Sequence, residues 1–331
     1  CAGDAECDDG VDCTTESCVD GFCAYDSDNA ACDDNNACDG VEACVPDVGC
    51  VDGTPPAPTV ECRSDLRDLL ALGQYHSCAL DALGYMRCWG AGFYGQLGYE
   101  EWGEDVNIGK TADRLPETAG TLSTPNGEAA PLRYVVQMAP GSNHTCALLN
   151  TGEVLCWGSH NEGQLGYGLL GDSSADPDPE QPKLDRPPMM PVDIGGKAVE
   201  IASRHFHTCV ILDSGNVRCW GRGGGGQLGY VTPGNVGDDE TPASMGDVDL
   251  GGVAVQLATG SAHTCALLDS GNVRCWGLGE EGQLGYGDTE DVGDDEVPSV
   301  AGDVPLGGTA VQIAAGGLHT CALLDNGDVY C

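Results

Sequence analysis

Basic residues are scarce in this sequence: 13 Lys and Arg stand against 53 Asp and Glu, a formal net charge of −40. Nucleic acid and anionic membrane surfaces repel such a chain, so neither is an expected partner. No run of about 18 apolar residues occurs, which excludes a membrane-spanning helix. Phe (3) and Met (5) are few beside 51 Gly and 18 Pro. That balance suits short strands and tight turns and argues against a helical bundle. No two cysteines stand at the C-x2-C spacing of zinc knuckles. Zinc is thereby disfavoured as their use.

Cysteine is what the chain has in quantity. The 20 residues are even in number, and ten of them fall in a regular spacing. A reducing cytosol would leave such thiols free or metal-bound, whereas an oxidising exterior would pair them, so disulfides and an extracellular or cell-surface location are expected. No signal peptide is visible. The sequence opens inside a cysteine pattern (Cys1, Cys7, Cys13) and stops at Cys331 partway through a repeat. It reads as a mature or excised piece of a longer secreted polypeptide.

Residues 1–50 carry Cys1, Cys7, Cys13, Cys18, Cys23, Cys32, Cys38, Cys44 and Cys50 among Asp, Asn and Gly. With almost no aliphatic periodicity, this module must rely on its bridges to fold. Residues 51–61, VDGTPPAPTVE, read as a stiff Pro-rich linker. Cys62 follows, and residues 62–331 form the remainder. The partners of these ten cysteines cannot be read from spacing.

From residue 62 onward the sequence repeats. GQYHSCALDALGYMRCWG, GSNHTCALLNTGEVLCWG, RHFHTCVILDSGNVRCWG, GSAHTCALLDSGNVRCWG and GGLHTCALLDNGDVYC align, with first cysteines at 78, 146, 209, 265 and 321. Four copies continue into YGQLGY, EGQLGY, GGQLGY and EGQLGY. Periods of 56 to 68 residues with strand-type composition point to propeller blades. One segment pulls both ways. Ser64–Gly73 has the pattern of a short capped helix, yet in the alignment Leu70–Gly73 occupies the place of the strand Ile313–Gly316. Tertiary context overrides propensity, so a strand is expected there.

The hairpin register follows from the spacing. In each copy the second cysteine lies ten positions after the first, with a glycine six after the first: Gly84, Gly152, Gly215, Gly271 and Gly327. A three-residue loop with Gly in the left-handed position, folded about Ser270, sets Cys265 opposite Cys275. Counting out from Leu268/Asn272 places the cysteines on a non-hydrogen-bonded pair, where side chains are closest and a bridge fits. The expected pairs are Cys78 with Cys88, Cys146 with Cys156, Cys209 with Cys219, Cys265 with Cys275, and Cys321 with Cys331.

The string HTCALLDSGNVRCWGLGEEGQLGYGDT resembles the regulator-of-chromosome-condensation repeat, through its H-T-x-A-L, W-G and G-Q-L-G elements. The resemblance covers residues from about 68 to 331. It implies an all-β propeller of four-stranded blades, seven in a typical ring, of which this chain holds four complete repeats and a partial fifth. The cysteine-bearing variant looks like secreted bacterial versions. CDDGVDCTTESCVDGFC resembles the Cys/Asp-rich repeats of secreted slime-mould and myxobacterial proteins. The family's best-known member is an exchange factor for a small GTPase that also binds chromatin. The acidic balance and oxidised cysteines oppose carrying that role over.

Candidate sites are few. His76, His144, His207, His263 and His319 recur once per repeat, but equivalent positions of successive blades are too far apart to share one ion. A structural hydrogen bond to neighbouring backbone is the expected role. Trp89, Trp157, Trp220 and Trp276 read as packing between blades. The Gly-Gln-Leu-Gly blocks lack the Lys and helix of a phosphate loop. No Ser or Cys stands apart with a base and an orienting group, so no catalytic residue and no organic cofactor is assigned. Calcium is the metal that the oxygen-rich turns would take, through Asp8, Asp9 and Asp12, Asp33 and Asp34, Asp238 and Asp239, and Asp294, Asp295 and Glu296. Exposed acidic turns without an ion are the plain alternative. The long loops, Tyr99 to Val136 and Tyr167 to Val199, are the expected partner-binding surface. The chain therefore reads as a binding or scaffolding protein that presents loops to a protein or surface polymer. Self-assembly into an extracellular filament or coat through unpaired strand edges is the alternative, and a secreted hydrolase the distant one.

Overall fold

The computed structural model describes residues 14–19, 22–27, 43–45, 49–51, 69–80, 86–99, 107–110, 134–168, 190–231 and 234–331. The chain divides into two compact units, Cys1–Asp65 and Leu66–Cys331. In the first unit β1 (Thr14–Val19) pairs antiparallel with β2 (Phe22–Ser27), setting Cys18 opposite Cys23. The hairpin of β3 (Ala43–Val45) and β4 (Gly49–Val51) sets Cys44 opposite Cys50. Cys23, Cys44 and Cys50 are disulfide-bonded. Linker residues 52–61 lie outside the described residues, as do Asp8, Asp9, Asp12, Asp33 and Asp34.

The second unit is all-β. Its first three sheets are β5 (Leu70–Leu72), β6 (His76–Leu80) and β7 (Met86–Gly90); β8 (Val135–Pro140), β9 (His144–Leu149) and β10 (Val154–Gly158); and β11 (Ala198–Arg204), β12 (His207–Leu212) and β13 (Val217–Gly221). A one-turn helix α1 (Pro242–Met245) precedes β14 (Ala254–Thr259), β15 (His263–Leu268) and β16 (Val273–Gly277). After α2 (Pro298–Ala301) come β17 (Ala310–Ala315), β18 (Thr320–Leu324) and β19 (Val329–Tyr330). Each sheet is an antiparallel meander, and the first strands of successive sheets neighbour one another. Leu70–Leu72 is a strand, paired through Leu70 to Ala79, so the repeat register prevails over helical propensity at that point.

Each blade has three ladder strands. Among the described residues, the fourth expected from the family is reduced to isolated bridges along the outer edge, Gly90 to Ile108, Gly221 to Val236, Val217 to Val248 and Gly277 to Val292. A tyrosine takes over part of that edge. The hydroxyls of Tyr99, Tyr167, Tyr230 and Tyr286 accept the backbone N–H of Cys88, Cys156, Cys219 and Cys275 at 3.0 to 3.1 Å. Tyr167 and Tyr286 also donate to the carbonyls of those cysteines. These backbone groups would otherwise face a fourth strand, and buried ones must be paired. Burial raises the phenol pKa values, to about 12 for Tyr230, so the hydroxyls stay protonated and able to serve both ways.

The hairpin geometry explains the cysteine spacing. Leu268 N–H donates to the Asn272 carbonyl at 2.8 Å and Gly271 N–H to the Leu268 carbonyl at 2.9 Å, closing the loop with Gly271 at φ +81°. Cys265 then stands opposite Cys275. Disulfides join Cys78 to Cys88, Cys146 to Cys156, Cys209 to Cys219, Cys265 to Cys275 and Cys321 to Cys331 across Cα separations of 4.0 to 4.1 Å. The first eight of these cysteines are buried in the core beside Trp157, Trp220 and Trp276, all three fully enclosed. Gly84 lies outside the described residues.

Candidate binding site

Histidine, threonine and tryptophan side chains fasten one blade to the next. His76 Nε2 lies 2.7 Å from Thr145 Oγ1, His144 Nε2 3.0 Å from Thr208 Oγ1, and His207 and His263 Nε2 each 2.9 Å from Thr264 and Thr320 Oγ1. Thr145 and Thr264 spend their own hydrogens on the carbonyls of Gln96 and Gln227, at 2.7 and 3.0 Å. Their oxygens must therefore accept from the imidazole, which fixes His76 and His207 as Nε2–H tautomers. The indoles of Trp157, Trp220 and Trp276 donate to the carbonyls of Gln96, Gln164 and Gln227 in the preceding blade at 2.9 to 3.1 Å. Each glutamine side chain meanwhile accepts an N–H two residues upstream in its own turn, for example Tyr94 to Gln96 at 2.9 Å. Each of these histidines bonds a threonine of the next blade, and His76 and His207 also meet the neighbouring backbone expected of them, at Ser142 and His263.

These histidines are neutral. Burial pulls the pKa of His144 and His207 down to about 3 and that of His76 and His263 to about 4. Neighbouring imidazoles add to the effect at His144 and His207. The buried Nδ1 of all four has no hydrogen-bond partner, so a second proton there would find nothing to bond. At His76, His144 and His263 a glycine three positions earlier makes room for the ring. A Cβ at Gly141 or Gly260 would lie 2.1 or 2.0 Å from Cε1 of His144 or His263.

A second fastening went unread in the sequence. A register shift interrupts the first strand of four blades, between Val135 and Gln137, Ala198 and Glu200, Ala254 and Gln256, and Ala310 and Gln312. Such a bulge re-aims the side chain that follows it. Gln137, Glu200 and Gln256 accept the N–H of Ile201, Leu257 and Ile313 in the next blade at 3.1, 2.7 and 2.8 Å. The recurring Val-Gln/Glu pair was the available signal. The first strands line an open axial cavity of about 490 Å³ whose rim includes Leu72, Pro140, Arg204, Thr259 and Ala315.

At the outer edge Arg218 pairs with Asp247 at 3.0 Å and Arg274 with Asp303 at 2.9 Å. Of the expected calcium ligands, Asp238 and Asp239 gather with Glu240, and Asp294 and Asp295 gather with Glu296; in each trio the oxygens lie within 4.8 Å of one another. Partial burial, then a hydrogen bond donated to the adjoining aspartate and repulsion between the carboxylates, raise Glu240 and Glu296 to about 7. Both trios sit on a loop that crosses to the preceding blade. A Cβ at Gly237 would lie 2.4 Å from the Gly163 carbonyl, and one at Gly293 2.5 Å from that of Gly226. Of the two long loops, residues 100–106, 111–133 and 169–189 lie outside the described residues.

Stacked three-stranded sheets fastened by one recurring set of side chains define a repeat propeller. The chain carries regulator of chromosome condensation (RCC1) repeats, matched at residues 69–96, 135–164, 201–227, 254–283 and 270–323. It is 36% identical over 265 residues to the ultraviolet-B receptor UVR8 of Arabidopsis thaliana, covering 79% of this chain and 52% of UVR8. It is 29% identical over 259 residues to the human E3 ubiquitin-protein ligase HERC2, covering 77% of this chain and 5% of HERC2. The chain thus spans between 5% and 52% of the length of these curated relatives. Its fold is similar to that of human WBSCR16 (TM-score 0.57, 22% identity, 76% of this chain, 56% of that one). It is also similar to Prp20p of Saccharomyces cerevisiae (TM-score 0.56, 20% identity, 79% and 56%), described with binding to Gsp1p and histones.

Proposed function

We propose that this chain is an extracellular binding or scaffolding protein, a disulfide-stapled propeller that presents its loops to a protein or surface polymer. The disulfide in each of the five described blades carries this reading. Five paired hairpins suit an oxidising compartment, and the bonds hold a Gly-rich scaffold from which long loops can diverge. Exchange-factor, histone-binding and ligase roles belong to proteins of which this chain resembles a part. A net charge of −40 further opposes polyanionic partners.

The test has two readouts. Fractionation of the producing cells should place the protein in the medium or on the surface, with its cysteines oxidised. Labelled protein should bind intact cells, and replacing residues 169–189 by a short Gly/Ser linker should weaken that binding while leaving the thermal transition in place. Cytosolic recovery with reduced thiols would overturn the reading.

A further inference from the structure

The third blade breaks its own repeat at one turn. Glycine stands three positions before the junction histidine at Gly73, Gly141, Gly260 and Gly316, but the third blade has Arg204. The next residue, His205, has φ +51°, one of two non-glycine residues with positive φ among those described. Phe206 completes the turn, its ring 4.1 Å from that of His205. Arg222 follows the third strand where the other copies have Ala91, Ser159 and Leu278. His207 pairs with both Arg204 and Gly221, so the two arginines lie at one end of the sheet, about 10 Å apart by strand spacing. Arg222 N–H is bonded to the Phe206 carbonyl at 2.9 Å, which ties it to the same turn.

Packing does not account for these residues. Four copies make the same junction with glycine, whereas Arg204 is followed by His205 at positive φ. Nor are the charges satisfied internally. Arg218 and Arg274 each hold an aspartate, yet Arg204 and Arg222 are exposed and make no side-chain hydrogen bond or ion pair among the described residues. In a chain with 53 carboxylates and 13 basic residues, two arginines at one end of a sheet, without a partner among the described residues, mark a place for an outside group. Arg204 stands on the rim of the axial cavity.

We propose that the Arg204–Phe206 turn, with Arg222, is a carboxylate-binding site for an acidic side chain of a protein partner. Guanidinium matches carboxylate through two parallel hydrogen bonds, and the His205 and Phe206 rings offer an apolar flank. The surrounding charge repels a polyanion, so the fitting occupant is one or two carboxylates on a short segment. The proposal rests on the binding-protein reading, and names one contact that reading would use.

The test is fluorescence anisotropy of the whole oxidised chain with a labelled short peptide bearing two glutamates, beside its glutamine counterpart. The glutamate peptide should bind about tenfold tighter. Arg204→Gly with Arg222→Ala should abolish the preference, and added salt should reduce it. Arg204→Gly installs the residue that four sister turns carry, so the thermal transition should not fall. Equal binding of both peptides, no binding, or a preference that survives in the double variant overturns the proposal. So does a labelled oligonucleotide that outcompetes the glutamate peptide through the same arginines. Cell binding lost on shortening residues 169–189 would stand apart from any of these results.

Discussion

The junction histidine is where single residues decide stability. Its imidazole donates to a threonine one blade away and leaves Nδ1 buried and bare, so only the neutral form fits. An unfolded histidine titrates near 6.5, whereas folded His144 and His207 do so at about 3 and His76 and His263 at about 4. Below 6.5 the unfolded chain takes up protons that the folded chain refuses. Stability from these groups is therefore complete above that pH and is lost as pH falls through the window down to about 4 for His76 and His263 and about 3 for His144 and His207. Chemical denaturation across this range should show it. His207→Gln keeps a donor near Thr264 but cannot titrate. It should flatten the dependence by about one proton, or about 1.4 kcal/mol per pH unit. A slope unchanged by His207→Gln would contradict this account. Glycine supports the same ring: Gly260→Ala sets a methyl 2.0 Å from His263 Cε1. The expected loss is about 1–3 kcal/mol on denaturation.

At the scale of the element, the hairpin is the unit the sequence spells out. Ten-residue cysteine spacing with glycine after the midpoint leaves one register, and Cys265 faces Cys275 in it. Replacing both with alanine should cost about 2–3 kcal/mol in that blade, read from denaturation beside the oxidised parent. A loss near zero would mean the bond is incidental. The outer edge was less legible, because a tyrosine eleven residues downstream, Tyr230 to Cys219, replaces strand pairing that the family pattern implied. The bulge was not legible either. Ala254-Val255-Gln256 reads as ordinary alternation, and only the register shift aims Gln256 at the next blade. The alignment already displayed Arg204 among glycines, but its meaning depended on His205 adopting φ +51° and on Arg204 having no carboxylate partner among the described residues.

On the scale of the whole molecule, the five described blades share a stapled hairpin, four of them reach the next blade through an imidazole, and three reach the preceding one through an indole. Nearest-neighbour fastenings of this kind make stability a sum of blade and junction terms. The central claim is that ten cysteines are paired within their own hairpins. The most direct measurement is alkylation of the native protein without reductant, followed by proteolysis and mass spectrometry. The account predicts no alkylation at the ten cysteines and five cross-linked peptides, Cys78 with Cys88 through Cys321 with Cys331. Alkylated thiols at these positions, or pairs that join different blades, would contradict it.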